Sequence, residues 1–433
     1  MEHEISDLTR QALQGPIAFE ALERLVRTTA LRIGSEVLET MLNSAEQPIH
    51  PSIILPDGTV ASYAGKREKT FVCVLGDITL SRAYYTDGNG KGYFPQDDLL
   101  GFDKDSLSGG VKRMIGHTAG VLSFQESSLM IEHLADLHIG SKQVERAAEA
   151  LGEEISQAEA TEREEEVPPC SKTMYLGMDG TGGPVRKEET EGRKGKQPDG
   201  SAKTREVKLA VVFSADSRDK NGTPSRDKGS ASYNAAIESA ATLDVDELLS
   251  EFAQRVERET QRRGFDKAAR QVIIGDGAKW IWNIADEQFP KAMQIIDLFH
   301  AKGTISHAAK TIFGNDSEFG QQWAKTCRDD LEAGKLDVII GKLEPFVEKS
   351  NEARQCRDYL IHNRTRLNYP YFRSLGLSTS SGIVESGCKH VIGARVKQSG
   401  MHWTVRGANA IIALGCFKLS DRFDSFMDKR KRA

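Results

Sequence analysis

The stretch Val272 to His300 limits what this chain can become more than any other. Two short apolar runs, Val272 to Ile274 and Met293 to Ile296, lead into the carboxylates Asp276 and Asp297, and a helix-length amphipathic segment lies between them. Apolar runs without alternation fit strands buried on both faces, so this segment predicts strand, helix, strand within a mixed or parallel sheet. In an open α/β sheet, ligands bind outside the carboxyl ends of the strands. Asp276 and Asp297 therefore mark a working edge.

A third run of the same form, Met174 to Gly180, contains Asp179 and opens the same domain. Val207 to Ser214 has strong strand character, and Asp246 to Arg263 reads as a charged amphipathic helix. The succession predicts an α/β domain, a mixed sheet with helices on both faces. Ala301 to about Leu375 reads as a helical insertion without a strand. A new helix begins near Glu385, after the small residues Ser380, Ser381 and Gly382.

Upstream the pattern is α+β. Phe19 to Leu42 has apolar residues at helical spacing and predicts a packing or dimer helix. Thr70 to Tyr85 holds two β-rich runs around Leu75-Gly76-Asp77, a hairpin followed by a glycine-rich turn. Phe124 to Gly152 has helix-turn-helix spacing: a helix to Leu137, a break at His138-Ile139-Gly140, and a second helix with Ser141 as N-cap. That second helix would present Lys142, Gln143 and Arg146 to a major groove, although two helices joined by a glycine turn also simply pack together. Glu153 to Glu166 is acidic and runs into Val167-Pro168-Pro169, a linker. The domains expected are an N-terminal helical region at 1–50, a small β module at 51–105, the helix-turn-helix and acidic linker at 106–168, and the α/β domain at 169–433 with its insertion at about 301–375.

At 433 residues and 39% hydrophobic, the chain has core material for two or three domains. Its six cysteines form no C-x-x-C pair, which fits a reducing cytoplasm and argues against a disulfide frame or a zinc ribbon. No export signal is visible, and the longest nearly apolar run, Ala408 to Phe417, is too short and mixed to span a bilayer. The net charge of −5 conceals an asymmetry. Residues 1–170 carry 15 Lys and Arg against 28 Asp and Glu, whereas from Asn363 onward the counts are 13 and 4. The basic end is a candidate phosphate-binding face.

Three acids carry the chemistry: Asp179, Asp276 and Glu385. Mg²⁺ prefers oxygen ligands and takes one or two carboxylates per ion, so three carboxylates can hold two ions. Such a pair clamps the attacking and leaving oxygens of an in-line phosphoryl displacement. A single Asp-Gly is more often only a turn. Two of them at the ends of buried strands point to a site.

The segments Y-L-G-M-D-G-T-G, E-V-K-L-A-V-V-F, I-I-G-D-G-A-K-W-I-W-N, I-I-D-L-F-H-A, T-S-S-G-I-V-E-S-G-C-K and S-G-M-H-W-T-V-R-G-A-N-A-I-I-A-L, spread from Met174 to Phe426, resemble the ISKra-type transposases of bacterial insertion sequences, within the mutator-like DDE group. The resemblance implies an RNase H-like domain interrupted by a helical insertion before the last acid. It also implies strand cleavage and strand transfer with Mg²⁺, for which Mn²⁺ substitutes. Its partners would be double-stranded DNA, as terminal inverted repeats and target, with no membrane and with a homodimer or higher oligomer on the DNA.

Carried over by position, the triad is Asp179, Asp276 and Glu385, and the D-x-x-H signature is Asp297-Leu298-Phe299-His300. Asp297 competes with Glu385 as third ligand. Glu385 is preferred, because a glutamate in a first helical turn is favoured by the dipole, and Asp297 with His300 then orients the site. Lys389, Arg395, Lys397, His402, Trp403 and Arg406 are expected to touch DNA beside the acids, while Trp280 and Trp282 read as core anchors. Members of the group often carry two C-x-x-C pairs in the β module, where this chain has Ile54, Asp57, Asp87 and Gly90. The module is thus expected to be held by its apolar hairpin faces without zinc. Two other functions share these features: a transposase-derived DNA-binding repressor or scaffold that does not cleave, and a stand-alone metal-dependent nuclease.

Overall fold

The computed structural model describes residues 6, 10, 19–45, 48–55, 57–90, 92–102, 105–161, 171–195, 197–220, 222–240, 250–380 and 382–430. The chain forms two compact units, one within 1–151 and 424–433, the other within 152–423. Among the described residues, no helix is long and apolar enough to cross a membrane. The predicted linker at 167–169 and the start of the predicted helix at 246–249 lie outside the described residues.

The first unit begins with α1 (Phe19–Ser44), followed by an antiparallel sheet of β1 (Ser52–Ile54), β2 (Val60–Cys73), β3 (Gly76–Thr86) and β4 (Gly92–Tyr93) in that order. Leu38 and Leu42 of α1 pack on a cluster of Phe71, Cys73, Ile78 and Leu80, so this helix is a packing helix of its own unit. Asn43 bonds both the Ser81 amide and the Thr79 carbonyl, at 2.9 Å each. Leu55, Ala61 and Tyr85 form a second cluster. The hairpin lies where it was expected, but β2 starts at Val60, ten residues before the predicted run. Before Thr70 only Ala61 is buried, and Lys66 to Lys69 is charged and mostly exposed, so burial imposed no apolar signature there.

Short α2 (Pro95–Leu100) and α3 (Gly109–Ala119) lead to α4 (Phe124–Ala135) and α5 (Ser141–Thr161). A capping box between Ser123 and Glu126 starts α4, and Asp136, at φ 59°, ends it. The predicted cap of α5 shifts by one residue. Gly140 is the N-cap, its carbonyl taking the amides of Gln143 and Val144.

The second unit is built on a five-stranded mixed sheet of β5 (Thr173–Pro184), β6 (Thr204–Ser214), β9 (Ser232–Ala236), β10 (Arg270–Gly275) and β11 (Met293–Ile296), ordered β11-β10-β5-β6-β9. A minor ribbon of β7 (Ser217–Arg218) and β8 (Pro224–Ser225) sits between β6 and β9. β5, β6 and β9 are antiparallel neighbours, and β10 and β11 run parallel to β5. Strand β9 is absent from the sequence reading. Its residues, Ser-Tyr-Asn-Ala-Ala, are all buried yet lack the β-branched run that marks a strand.

The helices of this unit are α6 (Glu251–Arg262), α7 (Lys279–Gln288) between β10 and β11, and the insertion α8 (Leu298–Phe313), α9 (Glu318–Glu332), α10 (Leu336–Leu343), α11 (Asn351–His362) and α12 (Tyr369–Ser374). The insertion has its own core in Ile305, Cys327, Leu331, Ile339, Leu343, Cys356 and Leu360. The chain then enters α13 (Gly382–Gly387), a π-helical turn at Cys388–Gly393, α14 (Ala394–Val396) and the mostly buried α15 (Val405–Leu419).

Candidate active site

Strand register sets the acids in a row. Gly275 of β10 pairs with Met178 on one side and Ile296 on the other. The residues that follow, Asp179, Asp276 and Asp297, therefore stand where the parallel pairing ends, and the Asp297 amide donates back to the Gly275 carbonyl at 2.8 Å.

Glu385 reaches this edge from α13. A Cβ built on Gly177 of β5 would lie 2.2 Å from Val384 Cγ2, and one on Gly387 would lie 2.8 Å from the Tyr233 ring. Two missing side chains thus let α13 lie close on the sheet. Asp179, Asp276, Asp297, His300 and Glu385 then line one cavity of about 440 Å³, together with Met178, Phe299, Ser380 and Gly382.

Burial raises the Asp179 carboxyl above the ordinary carboxylate range, and the charge of Asp276 adds to the rise. The Gly180 amide at 2.7 Å, the Cys388 thiol at 3.5 Å and His300 act the other way. Burial and Asp179 push the Cys388 thiol up in turn, which keeps it a neutral donor. Asp276 Oδ1 accepts the Ala278 amide at 2.8 Å. Asp297, buried, caps α8 by accepting the His300 amide at 2.8 Å, which fixes the helical turn that carries the imidazole.

Two tyrosines of the insertion support this edge, and no motif announced them. The Tyr359 hydroxyl donates to the Asp276 carbonyl at 3.3 Å, and its ring centroid lies 6.4 Å from that of His300. Burial, then the charge of Asp276, drives this phenol above its ordinary range, so it stays protonated. The Tyr369 hydroxyl donates to the Ile296 carbonyl at 3.1 Å. In the sequence both belong to amphipathic helices, where an aromatic residue reads as core.

The donor set suits a hard cation. Asp179, Asp276, Asp297 and Glu385 offer only carboxylate oxygens, which select Mg²⁺ or Mn²⁺ over soft metals. A carboxyl raised by burial and then by a second carboxylate beside it is one that a bound cation would favour in its charged form. Among the described residues, no three His, Cys, Asp or Glu side chains are already gathered tightly enough to hold an ion. The oxygens share a space without closing on a point.

A family model matches residues 13–422. The chain belongs to the uncharacterised protein family UPF0236. No curated protein matches this UPF0236 chain. Five chains of solved structures match it, one of them from the Drosophila P element transposase strand transfer complex, at 9% identity and a TM-score of 0.28, over 77% of this chain and 83% of that one. A likeness that distant carries no argument.

The basic run of the UPF0236 chain is only partly a surface. Lys389, Lys397, His402 and Arg406 are exposed. Lys397 donates to Thr181 Oγ1, two residues past Asp179, and Arg406 forms a two-pronged pair with Glu153. Arg395 and Trp403 correct the expectation of DNA contact. Arg395 is fully buried, with its guanidinium 5.2 Å from the Trp403 ring centroid, and Trp403 is buried with its indole N–H on the Val396 carbonyl at 3.0 Å. Arginine and tryptophan spaced along a polar stretch look the same in sequence whether they face solvent or brace a turn from inside.

In the first unit, Lys142, Gln143 and Arg146 face outward from α5, opposite the buried Val144, Ala147 and Ala148. Lys142 pairs with Glu145 at 2.6 Å. Gln143 Oε1 accepts the Gly140 amide at 3.3 Å and so serves the helix start. Of the positions at which the resemblance would place cysteines, Asp57 and Asp87 accept the amides of Thr59 and Asn89, as turn residues do, and Ile54 is exposed.

Proposed function

We propose that the chain is a DNA transposase of the DDE kind, with an RNase H-like catalytic domain, that binds the ends of an insertion sequence, frees 3′-hydroxyls and joins them to target DNA. The observation that carries this reading is the single cavity onto which Asp179, Asp276 and Glu385 open, with Asp297 and His300 beside them. Three antiparallel strands followed by two parallel ones, and a helical block ahead of Glu385, support the RNase H-like reading. The motif resemblance supplies the reaction class.

Asp179, Asp276 and Glu385 would hold Mg²⁺, which when bound stabilises the charge on the attacking and leaving oxygens of an in-line displacement. The chain's own groups prepare the ground. Asp297 orients the turn that carries His300, whose imidazole faces the cavity and can hold a proton beside the scissile phosphate. Cys388 and the Gly180 amide fix the Asp179 carboxylate, and Tyr359 fixes the backbone that carries Asp276. Lys397 sets a positive charge next to Thr181 for the approaching phosphate backbone.

The test uses labelled duplex carrying the element ends, with and without Mg²⁺. The parent should free a 3′-hydroxyl and transfer it to a target duplex. Asp179→Ala or Asp276→Ala should bind the ends and not cut them, because such ligands act mainly on the transition state. Cutting by either variant at the parent's rate would refute the assignment.

A further inference from the structure

A second and larger cavity, of about 840 Å³, is built from elements that flank the acids without including them. Lys208 of β6 pairs across the sheet with Gly180, the residue after Asp179. Lys279 opens α7 just past Asp276, within about 10 Å of it along the chain. The cavity thus adjoins the working edge on the side of β6 and α7.

Positive charge collects there. Arg193, Lys194, Arg205, Lys208 and Lys279 line the cavity with Trp280. Two carboxylates share its wall, and both are already engaged: Glu206 with Lys208 at 3.1 Å, and Glu238 with Arg255 at 2.6 Å. Among the described residues, no carboxylate pairs with Arg193, Lys194 or Lys279. The Arg205 guanidinium is held below its usual range by burial and then by the charge of Arg193, which together outweigh the opposite effect of Glu189.

Trp280 gives the cavity an aromatic wall. Its ring meets Phe252 edge-on, with centroids 5.5 Å apart at 87°, and the Lys208 ammonium lies 5.8 Å from its centroid. Its indole N–H is buried and has no hydrogen-bond partner in the described structure. The indole N–H of the neighbouring Trp282 is likewise buried without a partner, but Trp282 does not line the cavity: it is a core residue, 5% exposed, with the Arg366 guanidinium 4.5 Å from its ring centroid.

We propose that this cavity binds an unpaired stretch of the DNA strand next to the phosphate that the acids attack, with a base on Trp280 and the flanking phosphates on the surrounding cations. The proposal rests on the transposase reading. A duplex is too wide for a cavity of this volume, whereas a few nucleotides fill it. A positive groove with an aromatic platform is the usual way to hold a single strand without reading its sequence, since every base has a π face.

The test compares two labelled DNAs on the full chain by fluorescence anisotropy: a blunt duplex of the element end, and the same duplex with a short single-stranded extension containing 2-aminopurine. Mg²⁺-dependent cleavage is measured on the same preparation. The extended DNA should bind more tightly, and its 2-aminopurine should be quenched on binding. Trp280→Ala should weaken the extended DNA by about five- to a hundredfold, abolish the quench and leave blunt-duplex affinity unchanged. Trp280→Phe, which keeps a ring, should retain both effects. Replacing the exposed Arg193 and Lys194 together by Ala should flatten the slope of log affinity against log salt by about 1.4 for the extended DNA. Equal affinity for the two DNAs, or a quench that survives Trp280→Ala in folded protein, overturns the strand pocket, and cleavage by that preparation keeps the transposase reading standing. A preference for the extended DNA with no cleavage supports the pocket and removes the transposase reading. No binding of either DNA overturns both.

Discussion

Gly177 gives the sharpest test of how the site is assembled. A methyl group there would lie 2.2 Å from Val384 Cγ2, whereas carbon atoms pack at about 3.5–4.0 Å. Either Val384 retreats by more than about 1 Å or the strand bends, and overpacking of this kind costs about 1–3 kcal/mol. The other nearby atom, Ile274 Cγ2, would be at an ordinary 3.6 Å, so the clash belongs to one pair. Val384 is 1% exposed and adjoins Glu385 in the chain, and a 1 Å misplacement of a catalytic group can cost about a hundredfold in rate. Gly177→Ala should therefore lower both stability and cleavage. Val384→Ala removes the obstructing methyls, so the double variant should be more stable than the two single losses added together, by about 1–2 kcal/mol. All four tryptophans, Trp280, Trp282, Trp323 and Trp403, lie in the second unit, so tryptophan fluorescence in urea follows this unit alone. Strict additivity, or a Gly177→Ala variant equal to the parent in both stability and cleavage, would show that close approach of α13 does not set the position of Glu385.

Glu385→Gln should eliminate cleavage in Mg²⁺ and in Mn²⁺, whereas Asp297→Asn should leave activity reduced about 10- to 100-fold; a labelled-duplex nicking assay decides, and the reverse ranking would make Asp297 the third ligand. Replacing the exposed Lys389 and Lys397 together by Ala should leave the urea midpoint in place and flatten the salt slope of duplex binding by about two units, whereas Arg395→Ala should lower the midpoint because it empties a buried position over Trp403. Asp227 supplies a pH dependence. Burial alone would raise its carboxyl, but hydrogen bonds from Ser214, Ser217 and two backbone amides outweigh burial and hold it down at about 2. A depressed acid contributes stability above its unfolded value near 4, and that stability is lost as pH falls through the folded value. The urea midpoint of Asp227→Asn should thus lie below the parent's at neutral pH, and the gap should close between about pH 4 and pH 2; a gap independent of pH would refute the assignment.

The central part of the sheet was readable because burial on both faces leaves only apolar residues, and the acids interrupt them abruptly at Asp179, Asp276 and Asp297. The helical insertion was readable for the complementary reason, a long stretch of helical spacing with no such run. Strand β9 was not, since Ser232 and Asn234 are buried with side-chain partners, Ser232 on Glu259 and Asn234 on Arg255 at 2.9 Å, and no local pattern predicts that a distant helix will satisfy them. Arg395 failed for a similar reason. Its charge dominates any linear reading, while its place under the turn is set by Trp403 and Met401. Tyr359 and Tyr369 act through hydroxyls aimed at backbone carbonyls, and only tertiary structure brings those within reach.

The tyrosine contacts bear on any attempt to trim the protein. Bridging the gap between β11 and α13 with a short linker would raise no large entropic objection, because the cost of closing a loop changes only slowly with its length. The obstacle is local. Removing the block from Leu298 to Ser374 would strip the Asp297 cap of its helix, take away the hydroxyls bonded to the carbonyls of Asp276 and Ile296, and uncover Trp282, which now lies under Arg366. A shortened chain made for crystallography would keep its acids and lose the buttress that holds two of them in line, so the helical block and the sheet can only be engineered as one piece.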